Sequence, residues 1–179
     1  MALCDITEGI NGADCKNAVA GFKALYVANF SDYEFTTSED ETDGILLTGL
    51  PTLFEVHKFP LKNVGNTYTE PTSSSRDTGT TTFNGTLTAV FTKISAKKSF
   101  QLRQMVFGRP IVFAETNGGD ILAIGLRRGV EFNNTTNIEG PLDGANAYTL
   151  EGVSQEAQPA YFLDEATITA LKEAVVAPY

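Results

Sequence analysis

Between residues 83 and 100 the chain reads FNGTLTAVFTKISAKKSF, and its hydrophobic period changes partway through. Phe83, Leu87, Ala89 and Phe91 share one parity, while Asn84, Thr86, Thr88 and Thr92 fill the other. That alternation predicts a strand with one apolar and one hydroxyl-lined face. From Ser95 the spacing lengthens, and Phe100, Arg103, Val106 and Phe107 predict a short helix over 96–107 with one apolar side. Ser95 is placed to cap it, and Gly108 followed by Pro110 to stop it. Lys97 and Lys98 oppose the dipole at the helix start, a small cost that predicts another use for their charge.

Upstream, KALYVANF (23–30), DYEFT (32–36), GILLTGL (44–50) and TLFEVHKF (52–59) predict short strands separated by Gly, Pro, Asp or Asn, with Pro51 and Pro60 bounding the last. The polar stretch 61–82, LKNVGNTYTEPTSSSRDTGTTT, cannot build a core. It predicts a projecting hairpin arm that rises through NTYTEPT, turns at SSSRDTG and returns through TTTFNGTLTAVF, with a long functional loop as the alternative.

Downstream, PIVFAE and DILAIGL flank TNGG, so a hairpin spans 110–126 with Asn117-Gly118 at its reversal. Arg127, Arg128 and Gly129 predict a second turn, NNTTNIEGPLDGANA (133–147) a polar loop, and YTLEGV and PAYFL closing strands. Asp164 is placed to cap a C-terminal helix over 165–175, with Ile168, Leu171 and Val175 on one side. With no βαβ rhythm, this pattern predicts a mainly β (α+β) single domain over 1–179, an antiparallel β-sandwich or barrel carrying one flanking and one terminal helix.

Composition narrows the partners. A chain of 179 residues with 42% hydrophobic content can bury a core. Its net charge of -9 disfavours gripping nucleic acid or anionic lipid. The start, MALCDITEGINGADC, has acids where a signal peptide carries Lys or Arg, and no segment approaches the roughly 20 apolar residues of a bilayer span, so the expectation is a protein made inside a cell with no membrane partner. Cys4 and Cys15 are read as a reduced pair, with a disulfide as the alternative. Charge is uneven: residues 1–57 set ten acids against Lys16 and Lys23, whereas 93–128 set seven cations against Glu115 and Asp120. An acidic and a basic surface on different sides of one molecule suit head-to-tail self-association.

Catalytic motifs do not emerge. GFKAL and GLRRG lack the spacing of phosphate-cradling loops, and neither a nucleophile elbow nor a zinc-helix pair occurs. His57, the single histidine, reads as a surface or lumen-facing strand residue; a hydrolase centred on it is the weaker alternative. In SEDETDG (38–44), Glu39, Asp40, Glu41 and Asp43 are hard oxygen donors, but not at calcium-loop spacing. They read as a solvated acidic loop, suited to lining a channel through which DNA slides without sticking. The expectation is a non-enzyme with no catalytic residue, metal or cofactor.

The run FNGTLTAVF, ISAKKSFQLRQMVFG, PIVFAE, preceded by the polar arm, is similar in element order to the tail tube proteins of tailed bacteriophages and to the tubes of type VI secretion and contractile injection systems. High Thr, Gly and Asn, two Cys and no Trp also resemble phage virion proteins. The resemblance implies hexameric rings whose sheets join sideways into an inner barrel and stack into a tube, through which double-stranded DNA passes unbound during ejection. It implies partners in copies of itself and other virion tail proteins, and a place in the virion after assembly in the bacterial host cytoplasm. On this reading Glu39, Asp40, Glu41 and Asp43 face the lumen. Tyr68, Glu70, Pro71, Arg76 and Asp77 belong to the inter-subunit arm, and Lys97, Lys98, Arg103, Arg127 and Arg128 form a basic inter-subunit surface. The Cys segment and the terminal helix depart from the family pattern, which leaves a capsid decoration protein, a head-to-tail connector or a non-enzymatic β-sandwich binding module as alternatives.

Overall fold

The computed structural model describes residues 19–40, 44–62 and 65–177. Cys4, Cys15, Glu41, Asp43 and the side chain of Asp40 lie outside the described residues. The strands are β1 (Phe22–Ala28), β2 (Thr36–Asp40), β3 (Gly44–Gly49), β4 (His57–Pro60), β5 (Thr67–Thr69), β6 (Thr72–Ser75), β7 (Thr80–Thr92), β8 (Ile111–Thr116), β9 (Ile121–Ile124), β10 (Glu131–Ile138), β11 (Asn146–Glu156) and β12 (Tyr161–Leu163). Helix α1 (Ala96–Phe107) follows β7, and α2 (Glu165–Glu173) follows β12.

These strands form two sheets. One has seven strands in the order β2-β3-β12-β9-β8-β1-β4; the other runs β10-β11-β7-β5, with β6 also paired to β7. Neighbours are antiparallel except β12 and β3, which run parallel.

The apolar runs at β1 and β8 are explained by burial on both faces. On one face Ala24, Tyr26, Ala28, Ile111 and Phe113 meet Phe54, Val56 and Leu171 of α2. There the rings of Tyr33, Phe35, Phe54 and Phe113 stack edge to face, with centroids 5.1–5.9 Å apart. On the other face Leu25, Val27, Val112 and Ala114 meet Leu87, Ala89 and Leu150 of the five-stranded sheet, and Leu102 and Met105 of α1. The architecture is therefore a mainly β sandwich with two flanking helices.

Several local expectations need correction. Strand structure falls on TTSED (36–40) and not on DYEF, because the aromatic residues of DYEF plug the core while the polar segment supplies ladder hydrogen bonds to β3. In TLFEVHKF only the end is extended: Leu53 turns through a left-handed φ of 61°, and β4 begins at His57. The expected loop at 133–147 is mostly the strand pair β10 and β11, leaving only 139–145 as a connection. The expected apolar side of α1 is also displaced. Leu102 and Met105 are buried, whereas Phe100 and Phe107 face solvent, Phe107 being 81% exposed.

Both helix starts follow their sequence cues. The Ser95 side chain accepts from the Lys98 amide, and Asp164 Oδ1 accepts from the Thr167 amide at 2.8 Å. Asp164→Ala should cost about 1 kcal/mol, a fall in melting temperature of roughly 2–4 °C, and differential scanning calorimetry checks it.

Candidate assembly surfaces

The arm is a hairpin. Thr72–Ser75 pair with Thr80–Phe83, and residues 71–80 are all exposed. Hydroxyls cross-link its end, with Ser74 and Thr81 3.0 Å apart and Thr78 and Thr80 2.7 Å apart. The strand that forms its returning half, β7, continues into the sandwich core, so the arm is an extension of the five-stranded sheet.

The residues expected along the arm divide between root and tip. The Tyr68 hydroxyl donates to Glu70 Oε1 at 2.8 Å, and the Glu70 carboxylate also accepts from the Ala160 amide at 3.1 Å. Burial, then the neighbouring Glu70 carboxylate, pushes the Tyr68 phenol upward, so it stays protonated. A Cβ on Gly85 would sit 2.7 Å from the Tyr68 hydroxyl and 2.5 Å from Ser154 Oγ, so only glycine lets the phenol cross β7 there. The Pro71 carbonyl accepts from the Asn84 amide. Tyr68, Glu70 and Pro71 thus anchor the arm to its own subunit, while Arg76 and Asp77 are exposed at the tip.

Both sheets end in strands that pair on one side only among the described residues: β2 and β4 in the larger, β10 at one border of the smaller and β5 with β6 at the other. Such borders invite pairing unless they are blunted by charge or proline. Pro60 and Lys58 do this on β4, whereas β10 offers eight residues with no proline.

The predicted basic surface separates into three places. Lys97 and Lys98 join Lys58, Lys62 and Lys93 around a cleft of about 530 Å³, whose apolar lining includes Phe59, Phe91 and Leu102. Five of the chain's eight lysines therefore gather at one opening, and no acid lines it. Lys98 Nζ donates to the Thr92 and Lys93 carbonyls at 2.6 and 3.1 Å, which explains a cation at this helix start. Lys93 adopts a left-handed φ of 65°, turning the chain from β7 towards α1. Arg103 lies instead on the outer face of α1, over the rings of Phe100 and Phe107. Arg127 and Arg128 form a third location, where both amides donate to Glu156 Oε1.

The acid run is only partly described. Glu39 is exposed on β2, and its carboxylate accepts from the Tyr161 hydroxyl. His57 is exposed on β4. Sequence reading missed Lys58, Lys62 and Lys93 because the cleft unites segments about 30 residues apart, and it missed Glu115 because that residue ends an apolar run. Glu115 is buried, 1% exposed, with Tyr26 Oη at 2.8 Å and Lys23 and Lys172 Nζ each at 3.2 Å.

Among the described residues no group of His, Cys, Asp and Glu is arranged to hold a metal ion. No described helix is long and apolar enough to cross a membrane. No known family model, curated protein or solved structure matches this chain.

Proposed function

We propose that this chain is a self-assembling structural subunit of the tail-tube kind, a phage virion protein whose copies close into rings and stack around a DNA channel. The observation that carries the reading is the combination, on one molecule, of open sheet borders with an exposed arm that extends the smaller sheet. Covering the borders with copies of itself shields edges that would otherwise template uncontrolled pairing. Contacts between unlike surfaces close a ring by rotation, and an arm directed away from the sandwich extends it along an axis. Function on this account is shape, with other tail proteins as end partners and DNA as an unbound passenger.

Purified protein at increasing concentration should give rings or tubes of uniform bore in negative-stain images, with matching fast species in sedimentation velocity. A strict monomer at high concentration, alone and with the end-capping tail proteins, overturns the proposal. The lysine-framed cleft favours a second reading, a non-enzymatic binding module. That reading predicts ligand-dependent hydrogen-exchange protection around the cleft without assembly.

A further inference from the structure

We infer that the lysine-framed cleft is a docking site for the acidic border of a second copy of this chain; the inference rests on the self-assembly reading and names which surfaces meet. Three observations support it. First, β4 and β2 are the two opposite borders of one seven-stranded sheet, so a contact between them joins unlike surfaces. Second, the charges are opposite. The cleft beside β4 gathers five lysines and no acid. The segment that contains β2 and the loop before it carries exposed Asp32, Glu34 and Glu39 and no Lys or Arg of its own, so acids outnumber Arg127, which shares a cleft of about 330 Å³ with Asp32 and Glu34. Third, each border has apolar surface to bury. The cleft lining includes the half-buried Phe59 and Phe91, and beside the acidic border Phe162 of β12, opposite Leu46 of β3, is 47% exposed.

The contact is made by side chains and not by extending the ladder. Pro60 withdraws a backbone donor from a four-residue strand, and Lys58 lies over the Tyr26 ring, 5.2 Å from its centroid. Lys62 and Lys93 are exposed at the cleft and supply the long-range attraction. Asp32 and Glu34 then act between subunits, while Glu39 is held by the Tyr161 hydroxyl of its own subunit, and steering by opposite charge sets the register in which copies meet.

A charge-swap experiment tests this. The double variant Lys62→Glu/Lys93→Glu and the double variant Asp32→Lys/Glu34→Lys should each keep the wild-type circular dichroism and melting temperature, because all four residues are exposed. Each should raise the protein concentration needed for assembly at least tenfold. Mixing the two variants should restore assembly, since every reversed cleft then has a reversed border to meet. Wild-type assembly that is unaffected by either reversal overturns this docking site and leaves the self-assembly reading standing. Loss without rescue on mixing overturns it too, because the cleft and border would then be serving different contacts. A wild-type protein that never assembles fails the broader reading, and this inference with it.

Discussion

Replacing Ser74–Thr81 with Asn-Gly is expected to leave the subunit folded while ending tube growth. The register pairs Ser73 with Thr82, and a two-residue reversal is the natural closure of an antiparallel pair at that point. Everything removed is exposed, so no core contact is lost, and the melting temperature should stay within about 2 °C of wild type. Tyr68, Glu70 and Pro71 remain in place, which keeps the root attached to the segment before β12. On the proposed function, lateral contacts survive and axial ones do not. Electron microscopy should show single rings or short stacks where the wild type gives long tubes. A loss of about 1.4 kcal/mol per arm weakens each contact tenfold, and the effect multiplies over all arms of a ring. Tubes of wild-type length from the shortened chain would sink the axial role of the arm.

The arm was legible in the sequence because its cues are local. A stretch with hardly any apolar residue, rich in Thr and Ser and closed by Gly79 at a left-handed φ of 63°, has few ways to sit in a folded chain. The same holds for α1 and α2, whose caps lie next to their first turns, and for the Asn117-Gly118 reversal between β8 and β9. Strand β10 was not legible. EFNNTTNI mixes Phe, Thr and Ile with three Asn and lacks a sustained apolar alternation, and it is extended because β11 supplies its ladder, from Glu131 opposite Val153 to Ile138 opposite Asn146. The face of α1 was ambiguous for a different reason. Apolar residues lie on more than one side of that helix, so period alone does not decide between Leu102 and Phe100; the position of the sandwich core does.

The assembly surfaces follow the same division. Charge segregation along the sequence is visible, but its spatial form is not, because the cations of one basic stretch, 93–128, part company in the fold. Lys97 and Lys98 border the cleft, Arg103 covers two exposed rings, and Arg127 and Arg128 lie on a turn whose backbone amides donate to Glu156. Sheet order is the missing information. It puts β4 and β2 at opposite borders although only 16 residues separate Asp40 from His57 in the chain.

Glu115 should be the most sensitive single side chain to remove. It holds β8 to β1 through Tyr26 and Lys23, and to α2 through Lys172. The two ammoniums belong to lysines whose side chains are 63% and 43% exposed, so water screens them and each adds little by itself. The Tyr26 hydroxyl is different: its residue is fully buried, and losing its acceptor leaves a polar group without water. Glu115→Ala combines that loss with a deleted buried side chain and should destabilise by about 3 kcal/mol, roughly 6–12 °C in melting temperature. Glu115→Gln keeps an oxygen for Tyr26 and should cost about half as much. The two variants also differ from wild type in their pH response. Burial alone would raise the Glu115 carboxyl, but the hydrogen bonds from Tyr26, Lys23 and Lys172 outweigh it and hold the group below its ordinary value of 4.5. A carboxyl lowered on folding contributes stability above its unfolded pKa, and that contribution fades as pH falls through the folded value. Urea titrations should therefore show the gap between wild type and Glu115→Gln at its widest near neutral pH and narrowing below pH of about 4.5. A gap that stays constant down to acid pH would mean that the carboxylate's charge contributes nothing to holding α2 against the sheet.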